Sequence, residues 1–130
     1  MTDASVEETA KAWLREMEAC VRAVDFERAR SIFSPDVVGF GSVSAMLPGL
    51  DALERDQWRH VWPVIRGFNF ETSDLRCGQG GDIIWIACAW RSQGQAADGP
   101  WRDRPGRITV VLKHEDGRWL AVHTHHSLAP

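Results

Sequence analysis

The sequence predicts an α+β fold with elements in the order ααβαββββ, built as one domain over residues 1–130. Three observations predict it: a helical apolar pattern at the N-terminus, apolar runs of strand type in the second half, and an Asp116-Gly117 pair between the last two runs. A chain of 130 residues is typical of one domain and can bury a core without disulfides or structural metals.

Composition and charge restrict the classes of partner. Hydrophobic residues make up 44% and charged residues 25%, which is typical of a globular domain. A net charge of −3 argues against nucleic acid, and no apolar run reaches the roughly 20 residues that cross a bilayer. The N-terminus lacks the basic and apolar regions of a secretion signal, and the three cysteines lack metal-type spacing. We therefore expect a cytoplasmic protein with no nucleic-acid or membrane partner.

Two helices are predicted at the N-terminus. Residues 5–24 carry apolar side chains at helical spacing, and Ser5 with Glu8 fits a capping box, which satisfies two amides at the helix start. Asp25 fits the cap of a second, short helix that Pro35 ends.

A strand and a third helix come next. Residues 37–43 are predicted as a short strand, and residues 50–62 have helical spacing. From about Gly67 the period changes towards that of a strand, because Phe68 and Phe70 alternate with polar neighbours.

The C-terminal half is predicted to contain three more strands. A turn at 78–81 precedes the almost continuously apolar run 82–91, which is typical of a strand buried on both faces. Residues 92–106 are rich in Gly, Pro and polar residues, so we expect a long loop that is either a lid or disordered. Strands at 108–112 and 119–126 follow, joined by the Asp-Gly hairpin.

The hairpin also predicts which side chains share a face. With Asp-Gly as the two turn residues, Val110 lies opposite His123 and Ile108 opposite His125. Their face is the more apolar of the two, so we expect it to pack on the helices. His123 and His125 would then project side by side, roughly 7 Å apart, into an apolar and partly enclosed space.

These two histidines have three interpretations. They could be core side chains whose hydrogen bonds are satisfied by neighbours, or groups that contact a ligand or transfer protons, since imidazole titrates near neutral pH. They could also hold a metal with a third ligand such as His60. No acidic or Cys ligand is identifiable from spacing, so we expect no metal and no cofactor.

Several short motifs resemble the SnoaL-like and ketosteroid-isomerase-like families of the nuclear transport factor 2-like superfamily. They are FSPDVVGFG at 33–41, GRITVV at 106–111 and DGRWLAVHTHHS at 116–127. In SnoaL-like relatives the tail typically has a Gly-(Lys/Arg)-Trp hairpin followed by His-x-His and Ser. Here His126 stands where an apolar residue is usual.

This resemblance implies a cone-shaped, curved antiparallel sheet wrapped around the N-terminal helices, a deep hydrophobic cavity, and a homodimer formed through the sheet. The superfamily includes isomerases, polyketide cyclases, dehydratases, epoxide hydrolases and non-catalytic modules, so the fold does not decide the activity. Ketosteroid isomerisation needs a carboxylate base and a phenol or neutral acid. The chain has no Tyr, and Phe40-Gly41-Ser42 stands where the base belongs.

The first hypothesis for function is a pocket protein that binds a small apolar or carboxylate-bearing molecule. A reaction of cyclase, isomerase or hydrolase type would use His123 or His125 as the acid/base group, and Arg91 would orient a carboxylate. The other expected ligand-binding residues are Trp13, Phe40, Trp58 and Trp62. The alternatives are a non-catalytic dimeric assembly module with a filled interior and, third, a metal enzyme with histidine ligands.

Overall fold

A computed structural model describes residues 2–130 of the chain. The helices are α1 (Asp3–Ala23), α2 (Phe26–Arg30), α3 (Leu50–Leu53) and α4 (Arg59–Val61), with a π-helical turn (Glu54–Trp58) between α3 and α4 and 3-10 turns at Trp62–Val64 and Thr72–Asp74. The strands are β1 (Phe33–Phe40), β2 (Met46–Pro48), β3 (Ile65–Phe70), β4 (Arg76–Gly80), β5 (Ile83–Gln95), β6 (Trp101–Asp103), β7 (Gly106–Glu115) and β8 (Arg118–Leu128).

The strands form one curved, unclosed sheet in the order β2-β1-β8-β7-β5-β3, and β4 and β6 also pair with β5. The predicted α+β fold is confirmed. The sheet is mixed, however, and not wholly antiparallel, because β1 and β8 are parallel neighbours. These strands lie at opposite ends of the sequence, so no hairpin constrains their relative direction.

The N-terminal helices pack on one face of the sheet. α1 contacts β3, β4 and β5, and its buried side chains join those of β5 and β7 in one hydrophobic core. The helix begins before the predicted Ser5 cap, because the Thr2 hydroxyl accepts a hydrogen bond from the Ser5 amide. Among residues 2–130, no helix is both long and apolar enough to cross a membrane.

The first strand begins earlier than predicted. α2 ends at Arg30, and β1 already starts at Phe33, although Pro35 was expected to end a helix. Proline is tolerated here because the pairing of β1 with β8 is interrupted between Phe33 and Val38.

Two segments predicted as a turn and a loop contain strands. Residues 76–80 pair with β5, although their glycines disfavour strand by propensity. Glycine fits at position 78 because it has no Cβ. A Cβ there would lie only 2.6 Å from the indole nitrogen of Trp85. Within the predicted loop 92–106, β5 continues to Gln95 and pairs with β6.

The hairpin between β7 and β8 follows the prediction only near its turn. Asp116 and Gly117 both have positive φ, as a two-residue hairpin turn requires, and the pairing continues as predicted to Leu112 opposite Ala121. Val111 then lies opposite His123, so Val122 is an extra residue in β8, which makes it a β-bulge.

Candidate functional site

A recess lies between α1, the helical segment 50–64 and the ends of β1, β5 and β8. Most of its lining is apolar or aromatic, with a polar end formed by Ser42, Gln57, Arg104 and His126. The enclosed cavity measures about 30 Å³, and the whole recess out to the solvent about 430 Å³. The enclosed part holds only about two water molecules, so it is much smaller than the deep cavity that the family resemblance implies.

Tryptophan rings fill the space that such a cavity would occupy. Trp58 and Trp62 both belong to the lining and stack with ring centroids 4.7 Å apart. The π-helical turn Glu54–Trp58 contributes both Gln57 and Trp58 to the lining, which is a common use of π-helical turns at functional sites. Phe40 also belongs to the lining, so three of the expected ligand-binding residues border the recess.

Trp13 and Arg91 do not border it. Trp13 lies in the core, where its indole N–H donates to the carbonyl of Ile32 at 3.0 Å. Successive side chains along β5 point to opposite faces of the sheet. Trp90 is buried, so the side chain of Arg91 lies on the outer face. There it forms an ion pair with Glu71, and a role in orienting a ligand in the recess is not compatible with that position.

The bulge at Val122 changes which histidine faces the recess. Beyond it, Val110 lies opposite Thr124 and Ile108 opposite His126, so the predicted partners His123 and His125 are wrong. Thr124 is buried and His126 belongs to the lining. The placement of His123 and His125 inside the cavity is therefore also wrong, because the extra residue puts both on the outer face.

His123 and His125 contact other groups on that outer face. The Nδ1 of His123 donates to the carbonyl of Val38 at 2.8 Å, since a carbonyl can only accept. Phe40 lies between the two imidazoles, with ring centroids 5.8 Å from His123 and 4.9 Å from His125. His123 thus fits the first interpretation, a histidine satisfied by its neighbours.

His126 is the imidazole at the recess. Its ring centroid lies 6.0 Å from that of Trp90, and within residues 2–130 its side chain has no hydrogen-bond partner. Burial lowers the pKa of His126 to about 4, and repulsion from Arg104 and His125 acts in the same direction. The ring is therefore neutral at pH 7 and offers one donor and one acceptor.

Arg104 reaches the recess from the segment between β6 and β7. Its backbone exchanges two hydrogen bonds with Ser92, of 2.8 and 3.2 Å. The guanidinium Nη2 donates to the Ser42 hydroxyl at 2.6 Å, and the guanidinium carbon lies 5.1 Å from the centroid of Trp90. Burial lowers the pKa of Arg104.

Ser42 and Gln57 complete the polar end. The Gln57 amide nitrogen donates to the Ser42 hydroxyl at 3.2 Å, and the Gln57 oxygen accepts from the Val43 amide at 3.3 Å. Gly41 permits this approach, because a Cβ there would lie 2.1 Å from the amide carbon of Gln57.

Sequence reasoning missed all four polar residues of this end. One signal was available for His126: Trp119 to Val122 are four consecutive apolar residues, which break the alternation of a strand and are typical of a bulge. Arg104 lies within the segment 92–106 that was predicted as a loop, and no local pattern distinguishes it from Arg102.

The side chains named for a metal site do not come together. Within the described residues 2–130, no three His, Cys, Asp or Glu side chains are placed to hold a metal ion. His60 lies in α4 and borders a separate groove with Val43 and Val64.

Comparison with known sequences finds one family. The model of the SnoaL-like domain matches residues 6–130, which is nearly the whole chain. No curated protein matches the chain in sequence.

Solved structures resemble the fold at low sequence identity. A nuclear transport factor 2-like superfamily protein from Salmonella enterica has a TM-score of 0.84 at 12% identity, covering 99% of this chain and 94% of its own. A ketosteroid isomerase-like protein from Erwinia carotovora has a TM-score of 0.79 at 15% identity, covering 95% and 96%. An NTF2-like protein of unknown function from Pseudomonas putida has a TM-score of 0.80 at 23% identity, covering 100% and 90%. These likenesses establish the fold alone.

Proposed function

Because the chain belongs to the SnoaL-like domain family, we propose that its recess binds a small, mainly apolar molecule and that His126 transfers a proton there. The observation that carries this proposal is an imidazole without a hydrogen-bond partner among the described residues, set in a wall of tryptophans. The His126 ring is partly buried, and its nitrogens have no hydrogen-bond partner among residues 2–130, so one donor and one acceptor are available to a bound molecule.

His126 is unprotonated at pH 7 and can therefore accept a proton, although its lowered pKa makes it a weaker base than a free imidazole. A general base must be unprotonated at the working pH and within reach of the proton that it removes. We therefore assign the proposed acid/base role to His126 instead of His123 and His125. Trp58 and Trp62 supply apolar contact with the bound molecule, and their rings must shift to admit it, since the enclosed space is only about 30 Å³.

Deuterium exchange tests both halves of this proposal. The probe is 2-tetralone in D2O, whose acidic C–H bonds next to the carbonyl exchange when a base removes the proton and D2O returns a deuteron. Tryptophan fluorescence measures binding, and mass spectrometry measures the exchange rate. We expect the protein to accelerate exchange and the His126→Phe variant to lose at least tenfold of that acceleration, since a positioned base contributes about 10²–10⁴-fold.

His125→Phe is the matched control, because it makes the same change one residue away on the outer face. It should keep the acceleration within about twofold, a change well below the contribution of a positioned base. Binding without acceleration would contradict the catalytic role and leave the binding role, whereas no binding would contradict both.

We also propose a homodimer through the outer face of the sheet, as the family resemblance implies. Trp85, Val111 and His123 lie side by side across β5, β7 and β8, and Trp85 is 46% exposed. Phe40 and Met46 extend this face across β1 and β2. Exposed aromatic and Met side chains on one contiguous face are typical of a protein–protein interface.

A further inference from the structure

The guanidinium of Arg104 has more donors than the protein can satisfy. It carries five N–H groups, and two of them have an acceptor: Ser42 at 2.6 Å and Ser92 at the long distance of 3.5 Å. Within residues 2–130 it forms no ion pair with a carboxylate, in contrast to Arg91 with Glu71. A half-buried cation without a counterion is costly, so the missing partner is expected to come from outside the chain.

Other groups beside Arg104 share this excess of donors. Trp90 is 1% exposed, and its indole N–H has no hydrogen-bond partner. The Ser42 hydroxyl accepts from both Gln57 and Arg104, which leaves its own proton free to donate. The lining contains no Asp or Glu side chain, so the polar end of the recess is built to meet acceptor oxygens.

Arg104 also lies where two openings meet. Besides the recess, it borders a groove of about 200 Å³ with Val61, Val64 and Ile65. A molecule whose charged group reaches Arg104 can therefore place its apolar part in the recess or along this groove.

We propose that the ligand of this recess is a monocarboxylate with an apolar body, and that Arg104 binds its carboxylate with help from the Ser42 hydroxyl. This inference rests on the proposed function and names the substrate class of that site. The planar fork of a guanidinium matches a carboxylate with two parallel hydrogen bonds. One cation also matches one negative charge, whereas a phosphate dianion would leave a second charge unpaired in an apolar site.

Paired acid and amide probes test the proposal on the full-length protein. The probes are phenylacetate, 4-phenylbutyrate and 1-naphthylacetate, each with its neutral amide, and titration calorimetry measures the dissociation constants. We expect at least one acid to bind about ten- to hundredfold more tightly than its amide, the range for hydrogen bonds to charged groups. Arg104→Gln should remove that preference, so that each acid and its amide bind the variant within about twofold of each other.

Arg102→Gln is the matched control, since it makes the same charge change at an exposed position two residues away and should leave the acid preference intact. Equal affinity for acid and amide would overturn this inference and leave the proposed function, as would an acid preference that survives Arg104→Gln. If Arg104→Gln does not fold, the wild-type comparison decides alone. Binding of none of the six probes would overturn this inference, and the proposed function with it if 2-tetralone also fails to bind.

Discussion

His126 links the chemistry of the recess to the stability of the protein. Its pKa is about 4 in the folded chain, chiefly because of burial, and about 6.5 in the unfolded chain. The unfolded state therefore binds the proton first as the pH falls. The stabilising effect of the neutral ring is complete above about pH 6.5 and is lost between about pH 6.5 and 4.

We expect the free energy of unfolding of the wild type to fall by about 3 kcal/mol more than that of His126→Phe between pH 7 and pH 4. Urea unfolding at a series of pH values measures this difference directly. Parallel curves for wild type and His126→Phe would contradict the placement of an imidazole in the recess wall.

Gly106 is the residue that lets Trp90 lie against β7. A Cβ at position 106 would lie 2.0 Å from a ring carbon of Trp90, a contact that the rigid, buried indole cannot relieve without moving. We expect Gly106→Ala to destabilise the protein by about 1–3 kcal/mol in urea unfolding. Gly80→Ala is the control, because a Cβ there meets nothing within 4 Å. An equal loss of stability in both variants would contradict the explanation that the contact with Trp90 causes the effect.

At the scale of single residues, the sequence predicted which side chains are buried more successfully than it predicted what those side chains do. Trp58 and Trp62 were expected at the recess because they lie four apart on a helical face, and they do border it. Trp13 was expected to bind the ligand as well but lies in the core, where its indole N–H donates to the Ile32 carbonyl. Such a hydrogen bond joins residues far apart in sequence, so no local pattern indicates it.

At the scale of elements, hydrophobic periodicity was a good guide to type and a poor guide to register. α1 and the hairpin turn at Asp116-Gly117 follow from their patterns. The register beyond Ala121 does not, because one extra residue changes every later partner and depends on how β8 must bend between β1 and β7.

Cross-linking distinguishes the two registers of β7 and β8. With the bulge, Thr109 lies opposite His125; without it, Thr109 would lie opposite Thr124. In a Cys77→Ser background, which removes the partly exposed native thiol, we expect Thr109→Cys with His125→Cys to form a disulfide on mild oxidation, because the paired Cβ atoms are close. Mass spectrometry detects the product, and cross-linking of Thr109→Cys with Thr124→Cys instead would contradict the observed register.

At the scale of the whole molecule, the two faces of the sheet have separate roles. One face packs on α1 and the helical segment 50–64 and borders the recess. The other carries Trp85, Phe40 and Met46 exposed to solvent. The α+β class could be predicted from the sequence, but the face that each histidine occupies could not, since it depends on the register of the whole sheet.

The proposed dimer predicts a molecular mass twice the 14.6 kDa of the chain in light scattering. Trp85→Glu should shift the protein towards the monomer, because it buries a charge without a partner at the interface. Val64→Glu makes the same kind of change at a residue that is 56% exposed away from this face, and should leave the mass unchanged. A monomeric wild type, or a Trp85→Glu variant that keeps the doubled mass, would contradict this interface.

The extra residue at Val122 also has a consequence for evolution. Loss of its codon would restore a regular ladder in which Thr124 and His126 keep their present partners, so the chemistry of the recess would survive the deletion. When related genes are aligned, a gap is therefore expected at Val122, and the residue to compare in the recess wall is the one that aligns with His126.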